Sequence, residues 1–384
     1  MNYLVLGAGK MGQVACYDFL QQPTTTAVTA ADNNPENLKT LRARFGDPRL
    51  TTVEFDAHDP EQVRKLMQSA DACLGAVHYG FNVQFTEAAI ETRTHFCDLG
   101  GNNAIVRRQL QLDDRARKAG VSIIPDCGLA PGMVSVLVAW GVERWPWADT
   151  VQIRVGGLPQ HPQQPLKYSL IFSVEGLINE YVEPVSILRD GKIVTVEPLT
   201  EIESLSFSPP YEDVEAFYTS GGTSTLPDSY AGRLKNLDYK TIRYPGHGAI
   251  IAAMYRLGLF SSEKVTTPSG KVIPRELTAR LLVDHLPHDQ KDVTLVRVAF
   301  SGAGNDRKRA RQLTIVDQCD EHRSISSMAR MTSYPAAIVA QMQADGRVSR
   351  TGVFGQELGV PPERFIAELR RRDIRIVGLE QGDS

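Results

Sequence analysis

The feature that most constrains the fold is a glycine-rich turn near the start of the chain, Gly7-Ala8-Gly9-Lys10-Met11-Gly12. It follows the apolar run 2–6 and precedes the helical pattern 11–20. In a G-x-G-x-x-G turn of this kind, the first glycine makes the bend, the second lets a pyrophosphate approach the backbone, and the third lets helix and strand pack closely. The amide groups at the helix start then face the negative charge. We therefore predict a dinucleotide-binding turn formed by Gly7, Gly9, Lys10, Met11 and Gly12.

An acidic residue stands where such a unit binds the adenosine ribose. Asp32 follows the second apolar run, 27–31, and lies 20 residues beyond the last glycine of the turn. Its carboxylate would accept hydrogen bonds from both ribose hydroxyls. A 2′-phosphate would meet the same negative charge, and Asn33 and Asn34 supply no guanidinium, so the sequence favours NAD over NADP. Two alternatives stay open: Arg42 turns toward a 2′-phosphate, or the turn packs helix on strand with no nucleotide.

Two further segments are predicted at the same edge of the sheet. Asp56 follows the third apolar run, where it either contacts adenine or caps the helix after Pro60. Gly75-Ala76-Val77 closes the fourth run with small residues, which let a nicotinamide ribose lie against the backbone. We expect Ala76, Val77 and Asn82 to contact the cofactor there, with His78 beside them. The alternative is a tight turn from strand to helix.

The first 126 residues alternate between short apolar runs and amphipathic stretches, in the rhythm of a parallel sheet covered by helices. Asn34-Pro35 and Asp59-Pro60 are typical of an N-cap followed by proline at the first helical position. This pattern predicts an α/β fold, a Rossmann-type doubly wound parallel sheet. The strands are expected at 2–6, 27–31, 50–55, 72–76, 95–99 and 122–125, and the helices at 11–20, 35–45, 61–69, 81–92 and 106–119.

After residue 132 the rhythm changes to that of a second, α+β domain with a largely antiparallel sheet. Asp190-Gly191 is a hairpin signal. The domains are expected at 1–132 (NAD-binding), 133–333 (substrate and dimerisation) and 334–384 (closing helices returning to the first domain). Strands are predicted at 150–155, 168–172, 185–188, 192–196, 239–243, 295–301, 312–316 and 324–332, and helices at 134–144, 249–257, 276–285, 334–344 and 361–372.

Composition excludes several classes of protein. The 384 residues suit about two domains at roughly 150 residues each. The net charge of −3 gives no positive field for nucleic acid or anionic lipid. Five cysteines without a Cys-x-x-Cys pair indicate neither a disulfide framework nor a metal site. The apolar opening is too short for a signal sequence or a membrane span, so we expect a cytoplasmic location.

The segment Asp126-Cys127-Gly128-Leu129-Ala130-Pro131-Gly132 follows the sixth run, at the edge where open sheets bind ligands. Asp126 is a candidate base or amine anchor, and the alternative is a helix cap. Cys127 is interpreted as a small buried thiol rather than a nucleophile, because no basic partner is close in the sequence.

Two segments of the second domain are candidates for substrate binding. Thr223 and Ser224 lie in a glycine-rich stretch whose amides and hydroxyls suit a carboxylate, or which is a plain surface loop. Lys240 and Arg243 fall on opposite faces of a predicted strand, with His247 beyond it. Arg243 is the better carboxylate clamp because its fork is bidentate, and the alternative is a surface ion pair. The basic runs 307–311 and 370–372 are interpreted as a hairpin tip and as charges that complement a helix dipole.

These motifs resemble the saccharopine dehydrogenase superfamily over nearly the whole chain, and within it the branch of the lysine 6-dehydrogenases. One departure concerns the turn Gly-Leu-Asp-Pro-Gly of saccharopine-forming relatives, since Ala130 replaces its acid and argues for a smaller substrate. In the first domain the resemblance includes Asp98-Leu99-Gly100-Gly101. The second-domain matches are much more specific than the glycine turn, and they include Phe172-Ser173-x-Glu175-Gly176-Leu177, Thr219-Ser220-Gly221-Gly222-Thr223-Ser224-Thr225-Leu226 and Tyr239-Lys240-Thr241-Ile242-Arg243-Tyr244.

The resemblance implies NAD-dependent oxidation of the side-chain amine of L-lysine to allysine, which cyclises to a piperideine carboxylate, by a homodimer or higher oligomer. A base must first deprotonate the amine, and Asp126, Lys240, His78 and His247 stay open for that role. Arg243 with Thr223 and Ser224 would hold the α-carboxylate. The alternatives are a saccharopine or carboxynorspermidine type dehydrogenase acting on a secondary amine, and a non-catalytic NAD-sensing protein.

Overall fold

The computed structural model describes residues 1–171, 173–288, 291–304 and 307–380. The chain divides into two compact units. Unit 1 contains residues 1–144, 224–229 and 329–375, and unit 2 contains residues 145–223, 230–328 and the chain after 375. The sequence placed domain boundaries at 132 and 333, whereas the units divide after Arg144 and before Ala329. The roles assigned to the domains stay predictions.

Unit 1 is built on a parallel sheet of seven strands, so the predicted Rossmann-type fold is confirmed. From edge to edge the strands are Gly352–Val353, Ser122–Ile124, His95–Asp98, Ala72–Gly75, Asn2–Leu6, Ala27–Asp32 and Leu50–Glu54. The six predicted strands all form, and the two-residue edge strand was not predicted. The strand order reverses direction between Asn2–Leu6 and Ala72–Gly75, which is where open sheets of this kind bind ligands.

The helices of the Rossmann portion begin as the sequence indicated. Asn34 accepts a hydrogen bond from the Glu36 amide, and Asp59 accepts from Glu61 and Gln62, so both predicted caps are confirmed. The predicted helix 106–119 is instead two helices, and the first of them starts earlier than predicted because Asn102 caps it. The helices are Lys10–Leu20, Pro35–Phe45, Pro60–Met67, Asn82–Thr92, Asn103–Leu110 and Asp113–Ala119, and apolar side chains such as Leu4, Phe85, Phe96 and Ile123 form the core.

Unit 1 also contains the helices Met133–Arg144 and Pro362–Arg371, and the part of Ser327–Ala344 from residue 329 on. Arg372, interpreted from the sequence as a helix-dipole charge, is buried and forms ion pairs with Asp18 at 2.6 Å and Glu368 at 2.8 Å. Burial raises the pKa of Asp18, and Arg372 opposes that shift. The end of the predicted closing segment, 381–384, lies outside the described residues.

Unit 2 contains a mixed sheet that is largely antiparallel, as predicted. The strand Asn236–Arg243 pairs in parallel with Ala148–Pro159, and the other pairs of the sheet are antiparallel. The remaining strands are Val185–Arg189, Lys192–Val196, Glu203–Leu205, Val214–Tyr218, Asp292–Gly304 and Arg307–Gln318, with a separate hairpin of Val265–Thr267 and Gly270–Val272. The helices are Val174–Val182, His247–Arg256 and Pro274–His285, and the short helix Leu226–Tyr230 starts within the part of the chain assigned to unit 1.

One predicted strand, 324–332, is wrong because most of it is helical. The helix Ser327–Ala344 starts there, and the carboxylate of Asp292 accepts hydrogen bonds from the amides of Ser327 at 2.7 Å and Met328 at 2.8 Å. A cap that comes from 35 residues away leaves no local pattern in the sequence.

Other expectations for unit 2 had mixed outcomes. The hairpin at Asp190-Gly191 is confirmed. Residues 168–171 form no strand, and Phe172 lies outside the described residues. The prediction that residues 307–311 form a hairpin tip is wrong, because these residues pair with the strand Asp292–Gly304. No helix among the described residues is long and apolar enough to cross a membrane.

Candidate active site

The glycine turn of unit 1 has the geometry that a dinucleotide needs. Gly7 has φ of +103°, and a Cβ there would lie 2.6 Å from the carbonyl oxygen of Ala76. A Cβ on Gly12 would overlap the carbonyl oxygen of Gly7, so helix and strand pack closely only with glycine there. A Cβ on Gly9 would meet nothing within 4 Å, which leaves the approach of a pyrophosphate open. The residues present therefore fit such a group.

Asp32 fixes the shape of this turn. It is 7% exposed, and its carboxylate accepts hydrogen bonds from the amides of Ala8 at 2.5 Å and Asn34 at 2.7 Å. The side chain of Asn37 donates to both oxygens at 3.3 Å. Asn37 was not identified from the sequence, although its place in the first turn of a helix starting at Pro35 was a usable signal. Asp32 is thus held at the end of its strand by neutral donors.

The remaining cofactor candidates differ in what surrounds them. Asp56 is exposed and accepts from the amide of His58, while Asp59 caps the helix, so the capping alternative for Asp56 is wrong. His78 is also exposed, and its Nδ1 accepts from the Gly80 amide at 3.2 Å.

The other three candidates flank the same turn. Ala76 and Val77 are half-buried, and the Ala76 amide donates to the carbonyl of Leu6 at 2.7 Å. Asn82 is buried at the start of its helix. Lys10 and Met11 open the first helix, where Gly9 provides no side-chain cap. Their contacts with a cofactor stay predictions.

Asp126 occupies an unusual position after the sixth strand of the sheet. Its φ is +61°, in the left-handed region that non-glycine residues seldom adopt, and it is 4% exposed. Its Oδ2 accepts a hydrogen bond from the hydroxyl of Ser224. Its Oδ1 is buried and has no hydrogen-bond partner of good geometry among the described residues, although the nearby amide of Gly101 favours the ionised carboxylate and so lowers the pKa. A strained backbone and an unsatisfied buried oxygen are features of functional sites.

Two other acids influence Asp126. Burial raises the pKa of Asp126 to about 7, and the negative charges of Asp98 and Glu357 act in the same direction. Asp98 is fully buried at the end of its own strand, and burial raises its pKa to about 6. The structure therefore places a cluster of acids at the carboxyl edge of the parallel sheet, where Asp126 titrates near neutral pH.

A short segment of the C-terminal region supports this cluster. The side chain of Gln356 donates to the carbonyl oxygen of Asp126 at 2.5 Å. Glu357 accepts hydrogen bonds from the hydroxyls of Thr225 at 2.8 Å and Ser229 at 2.5 Å. Gln356 and Glu357 were missed, because nothing local in the sequence connects residues more than 100 positions apart. The sequence indicated no role for Asp98, although its place at a strand end was an available signal.

Cys127 is the buried thiol that the sequence indicated. It is fully buried, its sulfur donates to the carbonyl oxygen of Ile124 at 3.2 Å, and burial raises the pKa of the thiol. A thiol held protonated in this way is a poor nucleophile.

Arg243 lies in a buried cluster of unit 2. It is 3% exposed, so the alternative of a surface ion pair is wrong. Its guanidinium donates to the hydroxyl of Tyr181 at 3.2 Å, pairs with Glu180 at 3.4 Å, and lies 4.8 Å from the ring centre of Tyr168. Burial raises the pKa of Glu180 to about 7, and the charge of Arg243 opposes that shift.

His247 belongs to the same cluster. Its Nε2 lies 2.9 Å from the Tyr181 hydroxyl, and its Nδ1 lies 2.9 Å from the carbonyl oxygen of Leu166. Burial, together with the charge of Arg243, lowers the pKa of His247 to about 3. The ring is therefore neutral, and its contacts orient Tyr181.

Lys240 is not brought together with Arg243. Its ammonium donates to the carbonyl oxygen of Glu201 at 2.6 Å and lies 3.4 Å from the carboxylate of Glu203. It also lies 4.8 Å from the centre of the Tyr218 ring. These contacts engage the ammonium within the protein, which favours a structural role for Lys240.

Thr223 and Ser224 are adjacent in the chain but have different partners. The hydroxyl of Thr223 donates to the carbonyl oxygen of Ser186 at 3.0 Å, whereas that of Ser224 donates to Asp126. Both hydroxyl protons are already used within the protein. No group of three or more His, Cys, Asp or Glu side chains that could hold a metal ion occurs in the described part of the chain.

The parallel sheet, the glycine turn and the acid that closes the second strand define unit 1 as a Rossmann-type dinucleotide-binding domain, the class found in nicotinamide-dependent oxidoreductases. Comparison with protein families identifies the group. Residues 3–124 match the saccharopine dehydrogenase NADP binding domain, and residues 128–374 match the saccharopine dehydrogenase C-terminal domain. The chain belongs to the saccharopine dehydrogenase family.

Individual relatives are distant. The mitochondrial alpha-aminoadipic semialdehyde synthase of Rattus norvegicus is 22% identical over 79% of this chain, and the match covers 33% of that protein, so the chain spans a third of its length. The saccharopine dehydrogenase [NADP(+), L-glutamate-forming] of Pyricularia oryzae is 23% identical over 80% of this chain and 69% of its own length. Apo saccharopine dehydrogenase (L-Glu forming) from Saccharomyces cerevisiae has a similar structure, with a TM-score of 0.79, 18% identity, and coverage of 98% of this chain and 100% of that chain.

Proposed function

We propose that the protein oxidises the ε-amine of L-lysine with NAD to give allysine, which cyclises to a piperideine carboxylate. The observation that carries this proposal is the state of Asp126, a buried carboxyl group whose pKa is raised to about 7 and whose Oδ1 lacks a partner among the described residues. A group of this kind accepts a proton near neutral pH. It stands at the carboxyl end of a parallel strand, the edge at which Rossmann-type sheets bind ligands.

The chemistry requires such a base. An alkylammonium such as that of lysine has a pKa of about 10.4 in water, and its nitrogen lone pair is blocked while the proton is present. In our proposal, an N–H bond of the ammonium breaks and the proton moves to Oδ1 of Asp126, while Ser224 continues to donate to Oδ2. The lone pair can then support loss of hydride from the adjacent carbon, which leaves an iminium. Water adds to the iminium carbon, the C–N bond breaks and ammonia leaves, which gives the aldehyde allysine. When bound, the nicotinamide supplies the acceptor for that hydride.

The turn favours NAD within our proposal. The described residues that donate to Asp32 are neutral amides, so none of them supplies a positive charge at the place where a 2′-phosphate would lie. Lys39, one turn further along the helix, is 71% exposed and pairs with Glu36 at 3.5 Å. The family description names NADP, so the choice of cofactor is part of the experiment below.

Arg243 is the residue that we propose for the α-carboxylate of the substrate. Three of its five N–H groups donate to Tyr181, Ile242 and Glu180, which leaves two N–H groups without an acceptor among the described residues. Its planar fork suits a carboxylate.

A second candidate is oxidation of a secondary amine, as in a saccharopine or carboxynorspermidine type dehydrogenase. The name of the Pyricularia oryzae relative, a saccharopine dehydrogenase, favours it, while Ala130 in the turn after Asp126 favours the smaller primary amine. The proposed proton transfer to Asp126 is the same for both substrates.

The test is a substrate panel followed by absorbance of the reduced cofactor. Lysine, saccharopine and other amines are mixed with NAD or NADP, and glutamate plus aldehyde is supplied with reduced cofactor in the reverse direction. We expect the highest kcat/KM with lysine and NAD. Turnover of saccharopine alone would select the second candidate, and cofactor binding with no turnover would favour an NAD-sensing protein.

A further inference from the structure

We propose that Asp98 is a positioning residue, which holds Asp126 in its strained backbone conformation and makes its carboxylate a better proton acceptor. The proposal rests on the proposed function of Asp126 as the base, and it adds a residue to which the sequence analysis gave no role. Asp98 itself contacts neither substrate nor cofactor in this scheme.

The hydrogen bonds of Asp98 account for the holding role. Its Oδ1 accepts from the amide of Asp126 at 3.2 Å and from that of Gly100 at 2.8 Å. Its carbonyl oxygen accepts from the amide of Cys127 at 2.6 Å. Asp98 therefore binds the backbone on both sides of the Asp126 Cα atom. A left-handed φ is unfavourable for a non-glycine residue and persists only where the surroundings impose it.

The turn after Asp98 also makes room for the carboxylate. A Cβ on Gly100 would overlap Oδ1 of Asp126, and Gly100 has φ of +73°. Because glycine has no Cβ, Gly100 leaves free the space that Oδ1 of Asp126 occupies. Asp98 and Gly100 together set where Oδ1 lies.

The second role is electrostatic and comes from several elements. Asp98 on its strand and Glu357 on the 3-10 helix Gln356–Leu358 carry the charges that disfavour ionisation of Asp126. Cys127, on the same turn as Asp126, is a neutral thiol, and Ser224 donates a hydrogen bond that acts in the opposite direction. After burial itself, the charge of Asp98 is the largest of these influences on the pKa of Asp126.

The substitution Asp98→Asn removes the negative charge of the side chain but keeps an oxygen that can accept hydrogen bonds. It therefore tests the electrostatic role separately from the holding role. The asparagine Oδ1 can still accept from Asp126 and Gly100. Its amide would face Gln109, whose Nε2 donates to Asp98 at 2.8 Å and whose Oε1 has no partner among the described residues. Rotation of the Gln109 amide would restore that hydrogen bond. Asp98→Ala removes both the charge and the acceptor.

The first measurement is the pH dependence of kcat/KM for the amine substrate. The acidic limb is the part of the pH profile in which kcat/KM falls as the pH is lowered. In Asp98→Asn we expect this limb to move down by about one pH unit, the effect of removing a nearby like charge. In Asp98→Ala we expect kcat/KM to fall at every pH, because Asp126 is no longer held. Asp59→Asn is the control, since Asp59 is an exposed helix cap elsewhere in unit 1 and should leave the limb unmoved. An unmoved limb in Asp98→Asn would overturn the electrostatic role.

The second measurement needs no activity and so separates this proposal from the proposed function. Urea unfolding compares the wild type, Asp98→Asn, Asp126→Asn and the double variant at pH 5 and pH 8. At pH 8 both acids are ionised and repel each other, so we expect the effects of the two substitutions to be non-additive, and at pH 5 we expect them to be nearly additive. Additivity at both pH values would refute the coupling even in a protein that oxidises no amine.

Discussion

The hydroxyl of Ser224 donates a hydrogen bond to Oδ2 of Asp126, a residue 98 positions earlier in the chain, and both residues have a left-handed backbone. Two strained non-glycine residues thus meet through their side chains at the end of the parallel sheet. The hydrogen bond stabilises the ionised form of Asp126 and opposes the effect of burial. Ser224 belongs to the segment 224–229 of unit 1, whose other hydroxyls contact Glu357.

Removal of that hydroxyl should therefore make Asp126 harder to ionise. In Ser224→Ala we expect the acidic limb of the pH profile to rise and kcat/KM at pH 7 to fall by about tenfold, the effect of about 1.4 kcal/mol. Ser69→Ala is a matched control, because the Ser69 hydroxyl donates to the nearby carbonyl of Leu66 and to no other described residue. A limb that stays in place would show that Ser224 does not influence the base.

The dependence on pH follows from the direction of the Asp126 shift. The carboxyl must be ionised to accept a proton, and its pKa is raised to about 7, so activity should be lost as the pH falls through 7. Activity should continue to rise above that pH as more of the amine loses its proton. Asp126→Asn should reduce kcat by about 10²-fold or more. A flat profile from pH 6 upward, measured with saturating cofactor, would contradict this assignment.

Substitution of Asp32 tests the choice of cofactor. In Asp32→Ala we expect weaker NAD binding and a smaller preference for NAD over NADP, because the acceptor for the ribose hydroxyls and the charge that repels a 2′-phosphate are both removed. Asn37→Ala should weaken NAD binding less, since it removes only a donor that orients Asp32. Binding is measured by fluorescence of the reduced cofactors. An unchanged ratio of the two dissociation constants in Asp32→Ala would refute the role.

Substitution of Arg243 tests recognition of the carboxylate. Arg243→Lys keeps the charge and loses the planar fork, so KM for the amino acid should rise about tenfold or more while NAD binding is unchanged. Arg189→Lys is the control, because Arg189 is 44% exposed in a surface pair with Glu201. Thermal unfolding checks that the buried cluster with Glu180 stays folded. Unaltered KM in a folded Arg243→Lys protein would remove the residue from the site.

A stability prediction concerns the cap supplied by Asp292. Asp292→Ala leaves two amide groups of the helix Ser327–Ala344 without their acceptor, so the free energy of unfolding should fall by about 1–2 kcal/mol. Asp292→Asn should cost less, because an amide oxygen can still accept one of these bonds. Urea unfolding at pH 7 measures both variants. Equal stability of Asp292→Ala and the wild type would show that the cap contributes nothing.

Local sequence patterns predicted most of the strands and helices of unit 1. The glycine turn, the six apolar runs and the caps at Asn34 and Asp59 act over a few residues, so the sequence predicted them directly. The strand predicted at 324–332 failed for the opposite reason, since the helix there is capped by Asp292 from another part of the chain. Buried Cys127 was predicted correctly because nothing basic is close in the sequence.

What the sequence by itself determined is the class of fold and the location of a dinucleotide turn, because periodicity and backbone sterics are local properties. Tertiary structure decided which side chains surround Asp126. Asp98, Ser224 and Glu357 come from three distant segments, and only folding brings their charges and hydroxyls to one buried place. The pKa of a carboxyl group depends on burial and on neighbouring charges, and neither is specified until the chain has folded.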